Sequence, residues 1–173
     1  MPKKRSSSRD YFDRFAEEWH NSRPDLKIEQ CSMLLRVIRM AGILDRELVK
    51  TCREFGINSG QFQVLATLRR LYPRPMTPTD LGRYAILTSG TMTVLLDRLE
   101  EKGLARRVRN STDRRSVEVE LTDAGKALID LAIDKRMGTL LDLQSHLEQD
   151  ELDSASQTLR KLLTSLDPPI EDL

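Results

Sequence analysis

The chain has 173 residues, of which 39% are apolar and 32% charged, and its 28 Lys and Arg residues nearly balance 27 Asp and Glu residues. A chain of this size can bury a hydrophobic core without disulfides or structural metals. Its two cysteines and two histidines lack metal-ligand spacing, and its apolar runs are far shorter than the ~18 residues that span a bilayer. We therefore expect a cytoplasmic protein with reduced thiols, no cofactor and no membrane segment.

Charge is distributed unevenly along the chain. Residues 102–115 carry six basic side chains and one acid, whereas residues 140–173 carry eight acids and two basic side chains. The first segment suits a polyanion, and the second would be repelled by one. A charged run is often only a solvated surface, so the basic segment indicates DNA binding only together with the elements around it.

The first third of the chain predicts two helices. Residues 1–9 have the composition of a disordered basic tail. Residues 10–23 predict an extra amino-terminal helix with one aromatic stripe. The residues of this stripe are Tyr11, Phe12, Phe15 and Trp19. A long helix follows over 29–55, where apolar residues recur every three or four positions until Gly56 ends the pattern.

The middle of the chain predicts two short helices joined by a tight turn, after a helix over 59–71. The hydroxyl of Thr77 is expected to cap the first short helix, which ends at Ala85. The second covers residues 89–102. Its inward-facing residues are predicted to be Met92, Leu95, Leu96 and Leu99.

Two strands, 104–109 and 117–121, come next and flank a cationic hairpin tip. Two short helices followed by a basic hairpin are typical of a winged helix-turn-helix, which predicts a DNA-binding domain over 57–121. Two further helices over 123–166 are rich in leucine. Together with the helix over 29–55, they are predicted to form dimerisation helices, although an intrachain bundle would also cover their apolar faces.

Five short motifs make the sequence similar to a known family. They are Leu81-Gly, Thr88-Ser-Gly-Thr-Met-Thr, Leu96-Asp-Arg-Leu-Glu-Glu-Lys-Gly-Leu, Asp113-Arg-Arg-Ser and Leu121-Thr-Asp-Ala-Gly. With them the chain resembles the MarR family of bacterial transcription regulators over about residues 30–166. The resemblance implies a mainly α fold with a small β-wing, in a homodimer that binds a pseudo-palindromic operator in double-stranded DNA.

The predicted DNA contacts lie on the outward face of the second short helix, which is expected to enter the major groove, and on the basic wing. The candidate residues are Ser89, Gly90, Thr91, Thr93, Val94, Arg98, Arg107, Arg109, Arg114 and Arg115. Arg114 is a candidate for a narrow minor groove, and phosphate contact without sequence reading is the alternative for each arginine. The family resemblance implies that Asp97 pairs with Arg115 and so orients the wing.

Residues 11–26 and 56–68 resemble the urate-responsive PecS-like subgroup, in which an extra amino-terminal helix contributes a Trp to a ligand pocket. Trp19 matches that Trp, whereas Gln63 and Leu95 stand where the subgroup has an acidic residue and an arginine. An anionic purine that leaves water needs charged partners. We therefore expect a small neutral or more apolar aromatic effector, bound by Trp19, Gln63 and Leu95, that releases a repressor from its operator.

Two other interpretations stay open. The aromatic helix and the acidic carboxyl-terminal segment would also suit a winged-helix module that binds another protein. A thiol-based redox regulator would use Cys31 as its sensor, with Cys52 packed in the core. An enzyme is not expected, because the chain has no Gly-rich phosphate loop and no set of residues with the order of a nucleophilic triad.

Overall fold

The computed structural model describes residues 9–85, 89–109 and 117–166. In chain order its elements are α1 (Tyr11–Ser22), α2 (Ile28–Glu54), α3 (Ser59–Leu71), α4 (Pro78–Ala85), α5 (Ser89–Glu101), β1 (Ala105–Arg109), β2 (Val117–Leu121), α6 (Asp123–Gln144) and α7 (Gln149–Leu166). The prediction of a mainly helical chain with a small β-wing is confirmed. Within the described ranges, no helix combines the length and the apolar character that a membrane crossing requires.

The chain divides into two compact units, one ending at Ser59 and one beginning at Gly60. In the first unit α1 packs along α2. The Asp10 carboxylate caps α1 by accepting the backbone N–H groups of Phe12 and Asp13, and the Asp10 N–H donates to the Asp13 carboxylate at 2.7 Å. This reciprocal capping box explains why helix α1 begins directly after Asp10.

The rings of the aromatic stripe on α1 contact one another in succession along the helix. The rings of Phe12 and Phe15 lie 5.9 Å apart, and those of Phe15 and Trp19 lie 6.2 Å apart. Arg36 on α2 donates to the Asp10 carboxylate at 2.7 Å, and its guanidinium lies over the Phe12 ring. This hydrogen bond from Arg36 holds the pKa of the Asp10 carboxyl below its ordinary value.

The core of the second unit is built from one apolar face of each of its first helices together with the wing. Its fully buried side chains include Val64, Leu65, Leu81, Met92, Leu96, Leu99, Val119 and Ile129. The two strands pair antiparallel in a register that places Arg107 opposite Val119. Val119 also donates its N–H to the carbonyl of Met76 at 2.8 Å. The segment before α4 is thereby tied to the base of the wing.

The turn after α5 and the start of α6 fit closely together. The Thr122 hydroxyl donates to the Gly103 carbonyl at 2.6 Å and accepts the Gly125 N–H at 2.9 Å, so one side chain caps α6 and holds the end of the preceding turn. A Cβ on Gly125 would lie 1.9 Å from the carbonyl oxygen of Leu104. Gly125 is therefore required by a backbone contact, which accounts for the glycine in the Thr-Asp-Ala-Gly motif.

Candidate nucleic-acid interface

The helix pair α4–α5 forms the centre of the candidate interface. The Asp80 N–H donates to the Thr77 hydroxyl at 3.2 Å, and that hydroxyl donates to the Asp80 carboxylate at 2.7 Å. The predicted cap of α4 is thus present. Leu81 is fully buried, and α4 packs against both α5 and β2. The first helix of the pair is therefore a rigid support for the second.

Helix α5 has one buried and one exposed face. Its buried face consists of Met92, Leu95, Leu96 and Leu99, each at most 6% exposed. Its exposed face consists of Gly90, Thr91, Thr93, Val94, Asp97 and Arg98. This division confirms the predicted inward set. The side chain of Ser89, another predicted DNA contact, lies outside the described residues.

The wing carries its cations in different surroundings. Arg106 pairs across the two strands with Glu120 at 3.0 Å. Arg109 is exposed at the last position of β1. The hairpin tip, with the predicted DNA contacts Arg114 and Arg115, lies outside the described residues.

Arg107 differs from its neighbours because it faces α5. Its guanidinium pairs with the Asp97 carboxylate at 2.7 Å and with the Glu100 carboxylate. Its backbone N–H also donates to Glu100 at 2.7 Å. Partial burial lowers the pKa of the Arg107 guanidinium, but the hydrogen bonds to the two carboxylates outweigh it and raise that pKa, so the group stays charged.

Among the residues that the structure describes, Asp97 therefore pairs with Arg107. Its predicted partner Arg115 lies outside those residues, so the Asp97–Arg115 pair stays a prediction. The prediction missed Glu100 altogether. The sequence spacing could have indicated this contact. Glu100 and Arg107 lie before and after the turn at Gly103, and the chain reverses there, so the end of α5 and the start of β1 are neighbours. Asp97 contacts the base of the wing through Arg107, and its role in orienting the wing stays a prediction.

The predicted effector residues have different environments. Trp19, in the first unit, is 38% exposed on α1. In the second unit, Gln63 is exposed on α3, and Leu95 is buried on the core face of α5. The ligand-binding role of these residues stays a prediction. Cys31 is exposed on α2, and Cys52 is buried.

Comparison with known proteins agrees with this geometry. A model of the MarR family matches residues 57–117. The chain is 34% identical over 136 residues to the HTH-type transcriptional regulator PecS of Dickeya dadantii. The aligned region covers 78% of this chain and 82% of PecS.

Two solved structures with bound DNA have the same fold. A mutant of Escherichia coli MarR complexed with operator DNA matches with a TM-score of 0.64 and 27% identity over 84% of this chain and 97% of that one. The S. aureus MepR–DNA complex matches with a TM-score of 0.68 and 26% identity over 79% of this chain and 97% of that one.

Proposed function

The chain belongs to the MarR family of DNA-binding transcription regulators and is not an enzyme, and from that premise we propose that it is a homodimeric repressor. In this proposal it binds a pseudo-palindromic operator and is released by a small aromatic ligand. The observation that carries the DNA-binding part is the exposed face of α5, held by a buried opposite face and followed directly by a wing that carries arginines. A helix supported in this way can enter the major groove as a rigid body.

The proposed contacts divide by chemistry. Thr91 and Thr93 can donate to or accept from base edges, and Val94 can contact a thymine methyl group. Arg98 on α5 and Arg109 on the wing supply positive charge to phosphates. Gly90 belongs to the same proposed surface. Ser89, Arg114 and Arg115 stay predicted contacts, because the side chain of Ser89 and both arginines lie outside the described residues. Because α5 presents few strong base-reading side chains, part of the sequence preference is assigned to DNA shape.

The homodimer is supported by apolar side chains at the end of the chain. Leu141 on α6 is 62% exposed, and Leu163 and Leu166 on α7 are 61% and 75% exposed. Monomeric proteins rarely leave contiguous apolar surface in water. A second copy that covers these helices would place two α5 helices on half-sites about one helical turn of DNA apart.

The effector is supported by the exposure of Trp19, because an indole ring that is partly open to solvent can stack on a planar ligand. A ligand with higher affinity for a conformation that does not fit the operator would shift the population away from DNA. Trp19 is the single tryptophan of the chain, so its fluorescence reports binding directly.

The deciding experiment titrates the full chain against the intergenic duplex upstream of its own gene and against a scrambled duplex. We expect a preference of roughly 10³-fold or more for the first duplex. We also expect the slope of log affinity against log salt concentration to be negative, by about 0.9 for each phosphate that the protein neutralises. Val94→Glu should abolish the preference, because it places a carboxylate on the exposed face of α5. The control Gln157→Glu adds the same charge on α7 and should not.

A random-duplex selection separates the remaining outcomes. If the chain prefers neither the upstream duplex nor any duplex from the selected pool over scrambled DNA, the repressor proposal is overturned and the protein-interaction module is favoured. If the chain binds DNA, urate and neutral aromatic compounds are titrated while Trp19 emission and DNA release are followed. Release on oxidation with peroxide that Cys31→Ser abolishes would favour the redox regulator over a ligand-released repressor.

A further inference from the structure

We propose that Arg107 is a positioning residue that braces the wing against α5, and that it does not contact DNA. This inference rests on the proposed DNA-binding function and reassigns one of its predicted contacts. Three hydrogen-bonding interactions carry it. The guanidinium binds Asp97 and Glu100, and the backbone N–H of the same residue donates to Glu100.

Glu100 is the centre of the brace because it holds both the backbone and the side chain of Arg107. One carboxylate oxygen accepts the N–H of a β1 residue at 2.7 Å, and the other accepts the guanidinium. Charge-assisted hydrogen bonds of this kind are stronger and more directional than neutral ones. They therefore set both the position of β1 and its direction relative to the last turn of α5.

Burial and charge both argue against a phosphate contact. The Arg107 side chain is 28% exposed, whereas that of its neighbour Arg106 is 65% exposed. One guanidinium beside two carboxylates leaves the cluster with a net charge of minus one. A phosphate at this point would meet repulsion, and Arg107 would have to leave two partners to bind it.

The brace has a mechanical consequence for DNA binding. Helix α5 and strand β1 are joined by a short turn at Gly103, whose positive φ of 66° lets the chain reverse. Without a side-chain link, the hairpin could pivot about this turn. With the link, the wing is already oriented when α5 reaches the groove, so less conformational entropy is lost on binding.

The decisive variant is Glu100→Gln, because the two hypotheses predict opposite signs. A brace that loses its carboxylate should bind operator DNA roughly five- to fiftyfold more weakly. If Arg107 instead contacts phosphate, the same variant frees the arginine and removes one negative charge near DNA, so binding should become tighter. Glu101→Gln is the matched control, because Glu101 is the next residue on α5 and is exposed. It should leave affinity unchanged or slightly raise it.

A second variant separates charge from geometry. Arg107→Lys keeps the positive charge but cannot hold two carboxylates in the fork geometry of a guanidinium. The brace predicts that it loses about as much affinity as Glu100→Gln. It also predicts that Arg107→Gln leaves the slope of log affinity against log salt unchanged, whereas loss of a phosphate contact lowers that slope by about 0.9.

A measurement without DNA distinguishes failure of the brace from failure of the proposed function. Hydrogen exchange of the β1 and β2 amides in the free full chain should be faster in Glu100→Gln than in wild type, while exchange in the middle of α6 is unchanged. Faster exchange throughout the second unit would show a merely structural role and overturn the proposal. Unchanged wing exchange would also overturn it. If wild type shows no DNA preference, faster wing exchange alone still supports the brace while the proposed function fails.

Discussion

Helices α5 and α7 both carry an apolar stripe, but only α5 buries its stripe. On α5 the apolar side chains are at most 6% exposed, whereas the structure, in the ranges it describes, shows no buried residue on α7. The apolar residues of α7 nevertheless recur at helical spacing: Leu152, Leu159, Leu163 and Leu166. A single chain therefore buries the apolar face of α5, the helix proposed to bind DNA, but leaves the apolar face of α7 exposed.

The difference teaches which parts of the protein a single chain can stabilise. The packing of α5 needs only α4, β1 and the rest of the second unit, so its stability should not depend on protein concentration. An exposed leucine stripe gains its stabilisation only when another surface removes it from water. If that surface is a second copy, as proposed, the contribution of α7 should rise with concentration.

The largest expected effect comes from placing a charge in the stripe of α7. Leu163→Glu should raise the dimer dissociation constant on the order of a hundredfold or more, because each dimer would bury two uncompensated carboxylates. Analytical ultracentrifugation at micromolar concentration measures it. Gln157→Glu adds the same charge on the opposite side of α7 and should remain dimeric. An unchanged dimer with Leu163→Glu would show that α7 is covered in some other way.

A matched pair of leucine truncations tests the comparison itself. Leu99→Ala should lower the free energy of unfolding by about 2–5 kcal/mol at any protein concentration, because Leu99 is fully buried in the chain. Leu159→Ala, at a side chain 39% exposed, should cost little in dilute solution and more as concentration rises. Chemical denaturation at two concentrations tenfold or more apart measures both. Equal concentration dependence of the two variants would contradict the distinction.

Much of this contrast was visible in the sequence. The inward set of α5 follows from a 3.6-residue apolar period in a short helix, with Thr93 and the pair Asp97 and Arg98 at the outward positions between the apolar ones, and the structure confirms it. The cap at Thr77 was predictable for the same local reason. Periodicity also shows that α7 has an apolar face. It does not say what covers that face, because the covering surface is distant in sequence or belongs to another molecule.

The pairing of Arg107 could not be derived in this way. The contact of Arg107 with Asp97 and Glu100 depends on the angle at which β1 leaves the Gly103 turn, and sequence periodicity contains no information on that angle. The ion pair between Arg69 on α3 and Asp130 on α6, at 2.7 Å, is also invisible to sequence periodicity, because it depends on how two distant helices pack. Its two residues are 61 positions apart in a chain with charges on most helix surfaces.

A smaller effect is expected where the wing joins α6. Thr122→Ala removes the hydroxyl that caps α6 and holds Gly103, so the free energy of unfolding should fall by about 1 kcal/mol. Thr139→Ala is the matched control, because the Thr139 hydroxyl bonds only to the Lys135 carbonyl one turn earlier on α6 among the described contacts. That change should be nearly neutral. Thermal or chemical denaturation compares the two, and equal losses would contradict the role of Thr122 in closing the turn.

The smallest expected effect concerns the polar link between α1 and α2. Unlike α5, which buries a whole apolar face, α1 has one buried residue in the described structure, Ala16. The hydrogen bond from Arg36 lowers the folded-state pKa of the Asp10 carboxyl from an ordinary 3.8. A depressed carboxyl pKa contributes stability that is present above the unfolded pKa and is lost as pH falls through the folded one. The docking of α1 should therefore hold at neutral pH and weaken only in acid, below the ordinary pKa of an aspartate.

Carboxyl NMR titration measures this directly. The Asp10 midpoint should lie below 3.8 in wild type and move upward in Arg36→Gln. Arg14→Gln is the control, since Arg14 forms an exposed pair with Glu18 on α1. A wild-type midpoint at the ordinary value would contradict this prediction, because it would mean that the Arg36–Asp10 hydrogen bond does not stabilise the ionised carboxyl. The docking of α1 would then rest on its apolar contacts and on the second ion pair of Arg36, with Asp13 at 2.9 Å, and α1 would resemble α5 more closely.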